Sequence, residues 1–134
     1  MKPTHVEHIG IAVKNLQSSI KFYERVLGLK CYAIEEVRDQ NVRTAFFKVG
    51  ETKIELLEPM NSESPVARFI EKRGEGMHHI AFAVDDLNAA LIEAKGEHLD
   101  LIDMQPRIGA EELQIAFLHP KSTGGVLMEL CQKL

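Results

Sequence analysis

Four residues of this 134-residue chain have the types and the spacing to bind a metal ion: His8, Glu55, His79 and Glu129. The two histidines lie 71 residues apart and the two glutamates 74 residues apart. Imidazole nitrogen and carboxylate oxygen suit Co(II), Ni(II), Zn(II) or Mn(II), and the ligand types alone do not choose among these ions. Four such ligands that leave open positions suit a Lewis acid that chelates a substrate and holds an enolate, whereas a structural zinc prefers closed, Cys-rich sites.

The two histidines and the two glutamates lie at matching positions because the chain consists of two copies of one module. Residues 6–13 (VEHIGIAV) match residues 77–84 (MHHIAFAV), and residues 53–57 (KIELL) match residues 127–131 (LMELC). Each copy therefore carries one His early and one Glu late. A lone Glu in a strand is usually the solvated side of a sheet, but a soluble chain rarely places two His and two Glu together without a cation. The repeat thus predicts a metal site.

The elements that must position these ligands follow from the periodicity of the apolar residues. Period-two alternation puts His8, Gly10 and Ala12 on one face of the first strand and bulky residues on the other, so that the space in front of the histidine is open. Each half reads as βαβββ. The predicted elements are a strand at 4–13, a helix from Leu16 to Leu27 capped by Asn15 and ended by Gly28, strands at 30–37, 42–49 and 52–57, then a strand around 77–84, a helix from Leu87 to Ala94 capped by Asp86 and ended by Gly96, and strands near 99–104, 113–119 and 125–131.

The linker between the halves, Pro59 to Gly76, predicts a short helix, because Ser64 is a typical N-cap and Pro65 suits a first helical turn. We therefore expect one domain over residues 1–134, built from repeats at about 4–58 and 76–132 that the helical linker joins. The predicted fold class is α+β, with two pseudo-symmetric βαβββ modules that form a curved, half-open mixed sheet around the metal site.

Composition excludes several functional classes. The chain is 45% hydrophobic and 27% charged, which is typical of a soluble globular protein. Its net charge of −4 with interspersed signs gives no basic face for nucleic acid. No apolar run approaches the roughly 20 residues of a membrane span, and no signal peptide is evident, so we expect a cytoplasmic protein without membrane contact. Cys31 and Cys131 are expected to be free thiols.

The other four histidines are weaker candidates. His5 and His78 have the wrong strand parity relative to His8 and His79, and His98 and His119 lie near predicted turns. We expect structural or solvent-exposed roles for these four.

Several stretches of the chain carry a family resemblance. They are residues 6–13 (VEHIGIAV), 53–59 (KIELLEP), 64–67 (SPVA), 74–81 (GEGMHHIA) and 117–130 (FLHPKSTGGVLMEL). Together with the four ligands, they resemble the vicinal oxygen chelate superfamily and, within it, the methylmalonyl-CoA epimerases from end to end. The resemblance implies one divalent metal ion per chain, most often cobalt, on His8, Glu55, His79 and Glu129, and it implies an acyl-CoA substrate and a homodimer. It further implies epimerisation of (R)- and (S)-methylmalonyl-CoA by proton abstraction at C2 through a metal-chelated enolate, with Glu129 as one acid/base.

The chain departs from the family pattern at two places. Thr44 stands where these epimerases often carry a Glu, and residues 109–112 read GAEE where GAHG is expected. A threonine cannot be a carboxylate base at neutral pH, so Glu111 or a metal-bound water substitutes, or the substrate differs. The sequence gives only a weak indication of which residues contact coenzyme A. The cationic candidates are Arg68, Lys72, Arg73 and Lys121, and such side chains are more often merely solvated.

Two alternative functions share these features. Glyoxalase I, a lyase acting on the hemithioacetal of glutathione and methylglyoxal, uses the same four ligand types. A non-catalytic small-molecule-binding protein of the same fold is the other alternative, and it predicts the loss of one or more ligands, whereas all four are present. The residues around His119 and the helix that starts at Ser64 favour the epimerase. The fold alone decides none of this, since it hosts many functions.

Overall fold

The two sequence repeats fold into eight β-strands, three α-helices and three short 3-10 helices. The computed structural model describes residues 1–134. The strands are β1 His5–Ala12, β2 Ala33–Val37, β3 Val42–Val49, β4 Thr52–Pro59, β5 Gly76–Ala83, β6 Arg107–Ile108, β7 Gln114–Leu118 and β8 Met128–Gln132. The α-helices are α1 Leu16–Arg25, α2 Pro65–Arg73 and α3 Leu87–Gly96, and the 3-10 helices are Arg38–Gln40, Ala110–Glu112 and Pro120–Ser122. Residues His8–His78 form one unit, here called the first unit, and Met1–Glu7 together with His79–Leu134 form the second unit.

In the first unit the strands lie in the order β2-β3-β4-β1, with β1 parallel to β4 and the other neighbours antiparallel. Helix α1 covers one face, where its buried residues Leu16 and Ile20 pack with Ala45, Phe47 and Leu56. Helix α2 packs on the opposite face through Val66, Phe69 and Ile70, against Ala12, Val42 and Leu57.

The second unit repeats this plan with the order β5-β8-β7-β6, in which β5 is parallel to β8. Helix α3 covers one face, where its residues Leu87, Ala90, Leu91 and Ala94 pack with Ala116, Leu118 and Leu130. The opposite face has a separate cluster, which contains Ala81, Leu113, Ile115, Phe117 and Cys131. The N-terminal residues belong to this unit, because the Thr4 N–H donates to the Ala83 carbonyl at 2.9 Å.

The same contact fixes the start of the helix in both units. The Leu16 N–H at the start of α1 donates to Glu58 Oε2 at 2.8 Å, and the Leu87 N–H at the start of α3 donates to Gln132 Oε1 at 2.7 Å. Glu58 and Gln132 each lie three residues after a candidate ligand glutamate. Because side chains alternate along a strand, a spacing of three sends one side chain to the helix face and the other to the opposite face.

The sequence predicted most of these elements. The α+β class and the two βαβββ modules are confirmed, and so are the caps, since the Asn15, Asp86 and Ser64 side chains accept hydrogen bonds from the first turns of α1, α3 and α2. That the whole chain is one domain stays a prediction. None of the three α-helices has both the length and the apolar composition that crossing a bilayer requires.

The prediction of a strand at 99–104 is wrong. That stretch makes only a single bridge, from Leu101 to Leu118, and the short strand β6 lies later, at Arg107–Ile108. The Asp103 side chain explains the difference, because its Oδ2 accepts the Phe117 N–H at 2.9 Å. A carboxylate thus takes the backbone donor that a paired strand would have used.

Several predicted boundaries also shift. Helix α1 ends at Arg25, before the predicted Leu27, and β2 begins at Ala33. Strand β8 begins at Met128, because Gly124 and Gly125 adopt positive φ angles of 75° and 91° in the preceding turn.

Candidate metal centre

In the first unit, His8 and Glu55 form a buried pair. His8 lies on β1 and Glu55 on the adjacent parallel strand β4, with Gly10 as the register partner of Glu55. The side chains are 4% and 5% exposed, and His8 Nδ1 lies 3.2 Å from Glu55 Oε2. The small side of β1 thus leaves room for the pair, as the sequence pattern predicts.

In the second unit, His79 and Glu129 form the equivalent pair. His79 lies on β5 and Glu129 on the parallel strand β8, with Ala81 as the register partner of Glu129. Both side chains are buried, and His79 Nε2 lies 3.4 Å from Glu129 Oε1. The Phe117 ring packs at a steep angle to the His79 ring, with 5.5 Å between the ring centroids. We call the sheet face that carries each pair the His–Glu face of that unit.

The distances within the pairs fit two ligands of one metal ion. Donor atoms about 2.0 to 2.2 Å from an ion, at octahedral or tetrahedral angles, lie about 2.8 to 3.6 Å apart. The observed separations of 3.2 and 3.4 Å lie in that range and are long for a charge-assisted hydrogen bond. Buried nitrogen and oxygen donors without thiolate are the donor set that divalent first-row ions accept, and the structure offers such candidate ligand groups.

Thr44 is a buried residue of the first unit, only 1% exposed. It lies on β3 in register with Leu57 of β4, and Leu57 shares its face with Glu55, so Thr44 belongs to the His–Glu face. The side chain at this buried position is a hydroxyl, which cannot serve as a carboxylate base.

The loop before β7 has an unusual backbone. Glu111 and Glu112 both adopt left-handed conformations, with φ angles of 56° and 60°. A Cβ at Gly109 would lie 2.8 Å from Ile115 Cδ1, so a larger residue there would require the Ile115 side chain to shift. Two successive non-glycine residues with positive φ cost of order 1 to 3 kcal/mol each, and such strain is concentrated at functional sites. Glu111, the substitute base that the sequence suggested, therefore lies in a strained turn of the second unit.

The weaker histidine candidates make local contacts. The His78 ring packs edge-on to Phe69 of α2, with 5.0 Å between centroids, and burial lowers the pKa of His78 to about 4. His5 Nδ1 lies 2.9 Å from the Thr4 hydroxyl, and His119 Nδ1 accepts the Lys121 N–H at 3.1 Å. His98 has a positive φ of 61° directly after α3.

Three of the four candidate coenzyme A contacts also have protein partners. Arg68 donates to the Glu63 carbonyl at 2.7 Å, the Arg73 guanidinium lies 5.9 Å above the Phe69 ring, and Lys121 pairs with Asp100 at 3.6 Å. They stay predictions as phosphate ligands.

Two further features of the structure were not predicted from the sequence. Glu7, directly before His8, is buried at 5% exposure and lines a cavity of about 330 Å³ in the second unit, together with Thr4, His5, Ala83, Val84, Asp85, Leu113, Cys131, Gln132 and Lys133. The other feature is the contact of Arg107 and Asp103 with Phe117. The amino-acid sequence does not show whether a Glu in a strand is buried. The register of Arg107 was not predicted either, because the predicted strand at 99–104 took the place of β6 at Arg107–Ile108.

Comparison with known proteins places these features in a family context. Residues 7–117 match the Glyoxalase/Bleomycin resistance protein/Dioxygenase superfamily. The uncharacterised protein YqjC of Bacillus subtilis is 47% identical over 95% of this chain and 91% of its own length. The mitochondrial methylmalonyl-CoA epimerase of Homo sapiens is 38% identical over 95% of this chain and 73% of its own length. A variant of Streptomyces coelicolor methylmalonyl-CoA epimerase, solved in complex with 2-nitronate-propionyl-CoA, superposes with a TM-score of 0.95 at 35% identity, covering 98% of this chain and 96% of the other.

Proposed function

Because the chain belongs to the Glyoxalase/Bleomycin resistance protein/Dioxygenase superfamily and, within it, to the methylmalonyl-CoA epimerase family, we propose that it interconverts (R)- and (S)-methylmalonyl-CoA. The reaction removes the hydrogen of C2 as a proton on one face and returns a proton on the other. The observation that carries the proposal is the buried His–Glu pair that recurs in each repeat, at 3.2 Å in the first unit and 3.4 Å in the second.

We further propose that the two pairs together hold one divalent ion per chain, with His8, Glu55, His79 and Glu129 as ligands. The matched donor types, their burial and the family support this ligand set. Cobalt is the ion that we propose, and Ni(II), Zn(II) and Mn(II) satisfy the same donors. When bound, such an ion stabilises the negative charge that develops on the substrate oxygens.

The hydrogen that is removed is bonded to C2, which lies between a thioester and a carboxylate. A positioned base must remove it as a proton. We propose Glu129 for this step, because its carboxylate is held in the buried pair at the centre of the second unit's His–Glu face. The group that returns the proton cannot be Thr44. Glu111 is our candidate, since it is a carboxylate in a strained turn of the same unit as Glu129. Glu111→Gln should then slow epimerisation while Glu112→Gln, its neighbour in the same turn, does not.

The testing experiment is proton NMR of methylmalonyl-CoA in D₂O with the cobalt-loaded protein, following the loss of the C2 hydrogen. A glyoxalase assay on the same sample and a parallel sample with EDTA serve as controls. Rapid exchange that EDTA abolishes is the expected result. Strong glyoxalase activity without exchange would mean that the shared ligands serve a lyase. Activity in neither assay would indicate a binding protein of the same fold.

The resemblance also supports two proposals about the protein in the cell. We propose a homodimer, which size-exclusion chromatography with light scattering would detect as twice the chain mass of 15.1 kDa. We also propose a cytoplasmic location, which fractionation of the source cells tests.

A further inference from the structure

A repeated ligand set poses a problem of orientation. The methylmalonyl group ends in a neutral thioester oxygen on one side of C2 and an anionic carboxylate on the other. One His and one Glu from each repeat offer the same donor types to both ends. Residues that differ between the repeats must therefore decide which end lies on which side, and the equivalent positions on the two His–Glu faces are where to look for them.

One equivalent position carries opposite charges in the two units. Arg107 of β6 is in register with Ile115 of β7, and Glu35 of β2 is in register with Thr44 of β3. Ile115 and Thr44 are themselves equivalent, because they are separated by the repeat shift of 71 residues. Directly opposed residues of antiparallel strands point to the same face, so Arg107 and Glu35 belong to the His–Glu faces of their units.

Contacts with Asp103 and Phe117 hold the Arg107 side chain in place. Its Nε donates to Asp103 Oδ1 at 3.0 Å, while the other oxygen of Asp103 accepts the Phe117 N–H at 2.9 Å. The guanidinium carbon also lies 5.6 Å above the centre of the Phe117 ring. A planar cation with one edge bonded and one face on an aromatic ring loses little freedom when it binds an anion.

The Phe117 ring connects this cation to the candidate metal ligands of the same unit. Phe117 is the register partner of Glu129, and its ring packs against His79. The Arg107 side chain is 34% exposed, so a bound small molecule can reach it. The cation therefore lies on the same face as the His79–Glu129 pair and is connected to that pair through the Phe117 ring. The equivalent position of the first unit carries the carboxylate of Glu35.

We propose that Arg107 binds the carboxylate end of the methylmalonyl group and so orients the substrate with that end toward the second unit. The inference rests on the proposed function and deepens it. Guanidinium is the protein cation best matched to a carboxylate, because its N–H donors form a fork with the spacing of the two oxygens. The equivalent position of the first unit carries Glu35, whose carboxylate offers no such fork of donors.

The test compares Arg107→Gln, Arg107→Lys and a matched control, Arg43→Gln, with the wild-type protein. Arg43 is also a strand arginine in ion pairs, with Glu36 at 3.5 Å and Glu58 at 3.8 Å, but it lies on the α1 face of the first unit. Each variant is assayed by C2 hydrogen exchange with methylmalonyl-CoA and with methylmalonyl-N-acetylcysteamine, a thioester that lacks the phosphates of coenzyme A. Metal content and thermal midpoint are measured on the same samples.

We expect Arg107→Gln to lower kcat/KM by about 10- to 100-fold with both thioesters, as the loss of a charge-assisted contact does. Arg107→Lys should recover part of the loss, and Arg43→Gln should stay within about twofold of wild type, since exposed ion pairs contribute little. A loss confined to the coenzyme A thioester would overturn the assignment, because Arg107 would then bind a phosphate. Equal activity of Arg107→Gln and Arg43→Gln would also overturn it and leave Arg107 with a structural ion pair. A wild-type protein that exchanges neither thioester would refute the proposed function itself, and this inference with it.

Discussion

The two units of the molecule share the residues of the proposed metal site and differ at the position proposed to contact the substrate carboxylate. Both have a buried His–Glu pair on parallel neighbouring strands, and both start their covering helix on the side chain three residues after the glutamate. They differ at one equivalent position of the His–Glu face, which is Glu35 on β2 in the first unit and Arg107 on β6 in the second. We infer that the repeat supplies one His–Glu pair in each unit, and that the difference between Glu35 and Arg107 distinguishes the two ends of the proposed substrate.

The helix-side cores differ in another way. Tyr23 and Phe47 stack in the first unit with 5.3 Å between ring centroids, while Ala94 and Leu118 occupy the equivalent positions in the second unit. The same fold is therefore filled by aromatic residues in one copy and by small aliphatic residues in the other. These helix-side positions therefore differ greatly in side-chain volume between the two copies, whereas the His and Glu positions keep their residue types.

The largest expected effect distinguishes the two glutamates of the proposed metal site, Glu129 and Glu55. At saturating metal, Glu129→Gln should lower the rate of C2 hydrogen exchange by about 10²- to 10⁴-fold, because the proposed base is lost. Glu55→Gln should lower it by less, since Gln keeps an oxygen donor and Glu55 has no proposed role in proton transfer. The exchange rates from proton NMR in D₂O decide between them. Equal losses in the two variants would remove Glu129 as the base.

The next effect concerns the helix-side cores. Leu16→Ala and Leu87→Ala should each lower the free energy of unfolding by about 2 to 5 kcal/mol, because both side chains are fully buried at equivalent positions. Urea unfolding followed by circular dichroism measures the loss. A cost below about 1 kcal/mol at either site would mean that the site collapses around the smaller side chain.

A smaller effect tests the shared helix starts. Glu58→Ala and Gln132→Ala should each cost about 0.5 to 2 kcal/mol, as the loss of a capping acceptor does. Gln132→Glu should instead stabilise the protein by about 0.3 to 1 kcal/mol, because it places a negative charge at the start of α3, as Glu58 does at α1. The same unfolding measurement applies. Destabilisation by Gln132→Glu would contradict the equivalence of the two contacts.

The smallest expected effect is on stability at alkaline pH. It concerns Tyr23, an aromatic residue of the helix-side core that only the first unit has at this position. Burial raises the pKa of Tyr23, so that the folded state disfavours its ionised form. The stability that this neutral phenol contributes is fully present below the unfolded-state pKa of about 10 and is lost as pH rises through the folded-state pKa. Urea midpoints of Tyr23→Phe should therefore fall less steeply above pH 10 than those of wild type. Parallel curves would show that Tyr23 titrates alike in both states.

Much of this architecture could be predicted from the sequence, for physical reasons that particular residues show. Period-two alternation around His8 and His79 defined the strands, and the caps Asn15, Asp86 and Ser64 defined the helix starts. The strand at 99–104 failed because Asp103 replaces backbone pairing with a side-chain hydrogen bond, which depends on a partner 14 residues away.

The site was predictable only in part. The repeat exposed the His and Glu of each copy, since duplicated ligands leave a visible spacing. The repeat did not indicate Arg107, because the equivalent residue of the first copy is Glu35, which carries the opposite charge. Equivalent residues of the two copies can be functional because they are identical or because they differ. The pairs that differ can be identified only when the strand register is known.

The central claim is that the two His–Glu pairs serve one metal ion. Isothermal titration of the metal-free protein with Co²⁺, combined with metal analysis after dialysis, tests it most directly. We predict one ion per chain in the wild-type protein, and at least about 100-fold weaker binding in both His8→Ala and His79→Ala, because each variant removes one ligand of the same ion. Two ions per chain, or an unchanged affinity in either variant, would contradict the account.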